Sequence, residues 1–236
     1  MGSRLAPLTN DRPKPMVEVA GRPLLLRALD RLAAVGIAGN DVIVVTGYRE
    51  DVLRARLVAD GYQVQLVTNP RYSDWNSFYS LLVAKDAVGG DEFLSLEGDV
   101  LFDAEVLPRL LAANGAAQLA VELRERCDAE AMKVEIDDDG KVSALAKELD
   151  PETSVGEFIG IARFDQAAGQ QVFADLERFI AEGITHQYYD HSYHRLAQRG
   201  ELTIDLVDIS DRVSLEIDDL VDLARAEELW KARGEP

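Results

Sequence analysis

Residues 41–68 read DVIVVTGYREDVLRARLVADGYQVQLVT. The stretch opens on a short β-branched apolar run, Asp41–Thr46, and closes on a second, Gln63–Thr68, with a helical pattern at Glu50–Asp60 between them. A near-continuous apolar strand, a helix and another such strand make a right-handed βαβ unit whose sheet is covered on both faces. The same alternation continues outward, with helical patterns at Leu24–Val35, Asn76–Lys85 and Ala104–Ala113 and apolar strands at Glu92–Leu96 and Gln118–Glu122. The rhythm then changes. Met132–Ile136 and Lys141–Leu145 flank Asp-Asp-Asp-Gly at 137–140, a hairpin pattern. Strand Glu157–Phe164, helices Gln166–Ala181 and Asp190–Gln198, strand Leu202–Val207 and helix Asp219–Lys231 complete the pattern. The expectation is an α/β chain: one doubly wound, mostly parallel sheet with a small mixed C-terminal part, in a single domain over 1–236.

The 236 residues carry 25 Lys and Arg against 43 Asp and Glu, a net charge of −18. A 47% hydrophobic fraction beside 29% charged residues is globular composition and excludes a disordered or fibrous chain. The acidic balance argues against nucleic acid and anionic membrane as partners, since both need a cationic face. Cys127 is the only cysteine, which excludes an internal disulfide and a cysteine-based metal knuckle. With no apolar run of about 18 residues and no leader pattern, a soluble cytoplasmic protein is expected. The charge is uneven, however: residues 1–31 hold six Lys and Arg against three acids. Such a segment suits a small anionic ligand, although scattered surface arginines would look the same.

That basic segment contains Gly2 to Val17, GSRLAPLTNDRPKPMV. Small residues let backbone amides wrap a phosphate chain closely, and Lys14 between two prolines is a positioned point charge. From Gly2 to Pro15 the run resembles, without a gap, the signature loop of the nucleotidyltransferases that activate sugar phosphates and alcohol phosphates. Gly21-Arg22-Pro23-Leu24-Leu25 and Val44-Val45-Thr46-Gly47-Tyr48 resemble further segments of these enzymes. Asn69-Pro70-Arg71-Tyr72 and Trp75-Asn76-Ser77-Phe78-Tyr79-Ser80-Leu81 are similar to a narrower group, the cytidylyltransferases acting on phosphocholine, inositol phosphate and phosphonates. The resemblance implies a Rossmann-like nucleotidyltransferase fold, with a nucleotide-binding half at 1–125 and an acceptor-binding, closing half at 126–236. It implies transfer of CMP from CTP to a small phosphorylated alcohol or phosphonate, with release of pyrophosphate and dependence on Mg²⁺. A sugar-1-phosphate nucleotidyltransferase using another NTP and a non-catalytic nucleotide-binding relative are the alternatives.

Residue by residue, the resemblance implies that Gly2, Ser3 and Arg4 hold the triphosphate and that Arg4 and Lys14 are the catalytic cations. Asn76 and Ser80 stand four apart, so both can face the nucleotide from one side of a helix start; an N-cap role for Asn76 or Ser77 competes. Asp99 follows an apolar strand, at the strand end where this architecture binds ligands. Glu216 and Asp218 would point the same way if extended. Acids brought together from distant positions make a hard oxygen site, and the family's metal-binding aspartates correspond to Asp99 and Asp218. Lys147 is implied on the acceptor phosphate, with Lys133 and Glu157 also on the acceptor side; a solvent-facing hairpin lysine is the other reading of Lys133. His191 and His194 share a helix face and would permit a metal pair, which the absence of nearby cysteine disfavours. Asp137–Asp139 lacks calcium-loop spacing and reads as a turn. Tyr188, Tyr189 and Tyr193 could wall a cationic head-group pocket or belong to the core. No aromatic lies between Leu123 and Ile136, where phosphocholine enzymes of this group carry one, which argues against choline. A buried strand and two small residues are expected ahead of the signature loop. Met1 stands at the variable position between the loop's two glycines, so the expectation is that the sequence as given starts inside the motif, without the first strand of the sheet, through a downstream start or because Met1-Gly2-Ser3 matches by chance.

Overall fold

The computed structural model describes residues 2–233. Two short 3-10 turns, Ser3–Leu5 and Lys14–Met16, precede a small hairpin of β1 (Glu18–Val19) and β2 (Arg22–Pro23) and then α1 (Leu24–Ala34). The βαβ unit follows as β3 (Ile43–Thr46), α2 (Glu50–Ala59) and β4 (Gln65–Thr68), with β3 and β4 parallel. The helical pattern at 76–85 forms two short helices, α3 (Phe78–Val83) and α4 (Lys85–Val88). Next come β5 (Phe93–Leu96), β6 (Val100–Phe102), α5 (Val106–Ala112) and β7 (Ala117–Leu123). The hairpin is β8 (Lys133–Ile136) and β9 (Val142–Ala146); β10 (Gly156–Phe164), α6 (Gln166–Ala181) and α7 (Asp190–Gln198) follow. The chain closes through β11 (Ile204–Asp208), β12 (Ser214–Glu216) and α8 (Leu220–Arg233).

The expected α/β class, with helices on both faces of a sheet, is what forms, and the sheet is mixed. β10 is its hub, antiparallel to β5, β7 and β8, while β11 runs parallel to β7. Period-two alternation along β10 sends Phe158, Ala162 and Phe164 to one apolar cluster with α6 and α7. Ile159 and Ile161 go to the other, with α1, α2 and α5. A third cluster, around Trp230 of α8, takes in Leu5, Val17, Leu101 and Ile217 and so fixes the N-terminal loop against β6 and the segment after β12. Local chemistry agrees with these placements. Asp165 caps α6 by accepting the Ala168 N–H at 2.8 Å, and the buried face of that helix repeats at Ala168, Val172, Leu176 and Phe179. In the β8–β9 turn, Asp137 Oδ1 accepts the N–H groups of Asp139 and Lys141, so the acidic run is a turn, as its spacing suggests.

Four strands escape the sequence pattern: the two-residue β1 and β2, and β6 and β12. β6 and β12 pair antiparallel, with Glu216 opposite Val100. Among the described residues β3 pairs only with β4 and β5 only with β10, so no ladder joins the βαβ unit to the larger sheet. The expectation for a strand ahead of the signature loop concerns Met1 and what would precede it, and lies outside the described residues.

Candidate active site

The β6–β12 register assembles the acidic centre. Because Glu216 pairs with Val100 and the Ile217 N–H donates to the Asp99 carbonyl at 3.1 Å, residues 97–99 and 216–218 lie side by side. Ligand oxygens of Glu97, Asp99 and Glu216 all lie within 4.8 Å of one another. Lys14 enters from the Pro-Lys-Pro turn. Its Nζ is 2.6 Å from Asp99 Oδ2, 2.5 Å from Asp218 Oδ1 and 3.9 Å from Glu216 Oε1, and its side chain is 13% exposed. Arg4 pairs with the other oxygen of Asp218 at 2.5 Å. A Cβ on Gly98 would stand 2.9 Å from the Pro15 ring, so glycine lets the lysine turn press against the strand end. At φ +75°, Gly160 in β10 likewise leaves room for Glu97, whose side chain a Cβ there would meet at 2.8 Å.

These groups perturb one another. Burial pulls the Lys14 ammonium down, but the charges of Asp99 and Asp218 outweigh it and hold it above the ordinary lysine value. Burial pushes Asp218 up, and Lys14 more than reverses this. Glu97 is pushed up to about 7 by burial and by the neighbouring Asp99, although the Tyr189 hydroxyl donates to it at 2.7 Å. Glu216 is pushed up to about 8 by desolvation and by the crowding of Asp99 and Asp218. Hard carboxylate oxygens gathered around one cation are a donor set that fits Mg²⁺.

A cleft of about 340 Å³ opens beside this centre, between the Lys14 turn, the end of β3 and the start of α3. Lys14, Asn76, Ser80 and Asp99 line it together, with Thr46, Tyr48, Asn69 and Trp75. Asn76 Nδ2 donates to the His186 carbonyl at 3.0 Å, while its Oδ1 accepts the Ser77 N–H at 2.8 Å. Ser80 Oγ accepts from Asn69 Nδ2 at 3.0 Å. The N-cap of α3 is Ser77, without a side-chain capping bond. Tyr48 and Arg49 donate to the carbonyls of Asn10 and Asp11, tying the signature loop to the β3–α2 connection. Gly2 has φ +70°, and its carbonyl accepts the Leu5 N–H and the Thr9 hydroxyl, closing the loop on itself; Ser3 lies exposed in its first turn.

On the other side Lys147 follows β9, its Nζ 5.6 Å from the centroid of the Tyr188 ring and 3.9 Å from Glu130. Glu157 is paired with Arg124 and is raised by burial. Consecutive tyrosines connect the two sides: Tyr188 lies against Lys147, and Tyr189 reaches Glu97. Tyr189 and Tyr193 are otherwise core residues, 7% and 0% exposed. Lys133 is buried, with its ammonium directed at backbone carbonyls, so the solvent-facing reading does not describe it. His194 Nδ1 accepts the Leu145 N–H, and among the described residues no metal-competent group includes a histidine. Glu97, Tyr48, Asn69 and Arg124 carry no signal in spacing alone; Glu97 could be suspected only from its place beside Asp99 at a strand end.

The model of the MobA-like NTP transferase domain matches residues 1–175. The CMP-5'-(3-aminopropyl)phosphonate synthase of Streptomyces rubellomurinus is 31% identical over 96% of this chain, which spans 37% of that protein's length. The choline-phosphate cytidylyltransferase of Streptococcus pneumoniae is 26% identical over 98% of this chain and 95% of its own. The solved inositol-1-phosphate CTP transferase of T. maritima shares the fold, with a TM-score of 0.79 at 22% identity over 99% of this chain and 92% of that one.

Proposed function

Because this chain belongs to the MobA-like NTP transferase family and is a nucleotidyltransferase, we propose that it moves CMP from CTP to a small phosphonate or phosphorylated alcohol and releases pyrophosphate. The observation that carries the reading is Lys14, held between Asp99 and Asp218 at the mouth of a cleft large enough for a nucleotide base and sugar. An oxygen of the acceptor's phosphonate or phosphate bonds to the α-phosphorus of CTP in line. The bond from that phosphorus to the pyrophosphate oxygen breaks, and pyrophosphate leaves with the electron pair. A phosphate dianion is already nucleophilic near neutral pH, so the chain supplies position and charge rather than a base.

In this reading the amides of Gly2 and Ser3, with Arg4, hold the triphosphate, and Lys14 neutralises charge developing on the α-phosphoryl group and the leaving pyrophosphate. Asn76 and Ser80 face the nucleoside. Lys147 anchors the acceptor's anionic group, and Glu157 stands by its organic part. Asp99, Asp218 and Glu216 would hold Mg²⁺, which supplies neutralisation of the nucleotide phosphates when bound. The absence of an aromatic ring from Leu123–Ile136 favours an acceptor without a trimethylammonium group over phosphocholine. The test is pyrophosphate release with each of the four NTPs against aminoalkylphosphonates, phosphocholine, inositol phosphate, polyol phosphates and sugar 1-phosphates. CTP with an aminoalkylphosphonate, an inositol phosphate or a polyol phosphate should react. Turnover only with a sugar 1-phosphate and another NTP, or with no pair, would refute the reading.

A further inference from the structure

Lys133 opens β8 and is 2% exposed. An ammonium has three N–H donors and accepts nothing. Here Nζ meets the carbonyl oxygens of Lys147 at 2.5 Å, Ala129 at 3.3 Å and Ala131 at 3.4 Å. Three donors against three carbonyls leave nothing over for a substrate. The choice of carbonyls is informative. Ala129 and Ala131 flank Glu130, in the irregular segment 124–132 that joins β7 to β8. Lys147 lies just past β9, and its own ammonium has Glu130 as its charge partner at 3.9 Å. One buried ammonium therefore grips the main chain on both sides of Glu130 and at Lys147, and so sets how the half-buried Lys147 stands relative to the 124–132 segment. Neither segment has a strand or helix at these residues to hold it. A buried charge is costly unless its hydrogen bonds are satisfied, so the staple persists only while all three carbonyls stay in place.

We propose that Lys133 is a positioning residue: it fixes the backbone of Lys147 and of residues 129–131, and thereby preforms the side of the site that receives the acceptor's anionic group. The inference rests on the reading of Lys147 as that group's anchor.

The experiment compares Lys133→Met, Lys147→Met and the double variant, measuring KM for the acceptor, KM for CTP and kcat. Lys133→Met keeps bulk and removes the donors; acceptor KM should rise roughly tenfold while CTP KM stays within about twofold, since the three carbonyls lose their partner and the anchor drifts. Acting through Lys147, the two changes should not add, and the double variant should match Lys147→Met in acceptor KM. Additive effects would mean that Lys133 touches the acceptor itself, and equal rises in both KM values would mean general damage; either overturns the proposal. If Lys133→Met does not fold, Lys133→Arg keeps the charge but redirects the donors, and should still raise acceptor KM selectively. Hydrogen exchange separates this test from that of the function. Even if the wild-type protein turns over no acceptor, Lys133→Met should speed exchange around 129–131 and 147–149 while α6 stays protected. Unchanged exchange would overturn the staple.

Discussion

At the scale of single residues, the Lys14 ammonium occupies the space between carboxylates that a divalent cation would share, and the segment that carries it is packed tightly. A Cβ on Gly2 would approach Lys14 Cβ to 3.2 Å, and Met16 and Val17 return hydrogen bonds to Pro13 and Lys14. Lys14 is thus positioned by its own turn and not only by its charge partners. Lys14→Ala should lower turnover by at least about a hundredfold, the scale for removing a transition-state charge partner, with the fold retained. Near-normal turnover in a folded variant would take Lys14 out of the mechanism. Asp190, at the start of α7, makes a separate prediction. Burial pushes its carboxyl up to about 7, far above the ordinary aspartate range, and it is 6% exposed. The folded state therefore keeps a proton that the unfolded chain releases, so stability falls as pH rises from about 4 to about 7 and levels off above that. The full difference is on the order of 4 kcal/mol, at 1.36 kcal/mol for each pKa unit. Asp190→Asn removes it. The variant should melt higher than wild type at pH 8, and the gap should narrow to about a third at pH 5 and close below about pH 4. A gap that does not change with pH would show that Asp190 titrates normally.

At the scale of elements, the acidic centre depends on one pairing. Glu216 opposite Val100 brings Asp99 and Asp218 to the same lysine, and a slip of one residue would turn the facing side chains to the opposite side. Asp99→Asn and Asp218→Asn should each raise the Mg²⁺ concentration for half-maximal activity, by about tenfold for the loss of one charged oxygen ligand. A variant that titrates like wild type would exclude that residue from the cation site. This pairing is also where the sequence says least. Residues 41–68 are legible because β-branched runs and a helical repeat of 10 residues in α2 each fill a whole element. β6 and β12 have three residues each, too few to establish a period, and only their partnership makes them strands. Asp99 and Asp218 could be picked out by motif, whereas Glu97 could not, because its role comes from Gly160 and Tyr189 in distant elements. Lys133 shows the same limit. Its position in a hairpin is readable, but the face it takes is set by where the carbonyls of 129, 131 and 147 converge.

At the scale of the whole molecule, the expected halves 1–125 and 126–236 share their interior. β10 and β11 come from the second half and pair with β5 and β7 of the first, and β12 pairs with β6. The cluster on one face joins Leu25, Leu29 and Leu107 to Ile161 and Val207. The third joins Leu5 and Val19 to Trp230, which is fully buried. Separating the halves would strip β5, β6 and β7 of ladder partners and expose both faces that β10 covers, a loss no residue within 1–125 replaces. The two parts can differ in function without being units of stability. Heating should therefore give one transition whose calorimetric and van't Hoff enthalpies agree, and the same midpoint whether followed by Trp75 in the first half or Trp230 in the second. Single-tryptophan variants, Trp75→Phe and Trp230→Phe, allow each half to be followed alone. Coincident midpoints, after correction for the stability change each substitution makes, would establish one cooperative domain. Two resolved transitions would mean that the β10 ladders hold the halves together too weakly to couple their unfolding.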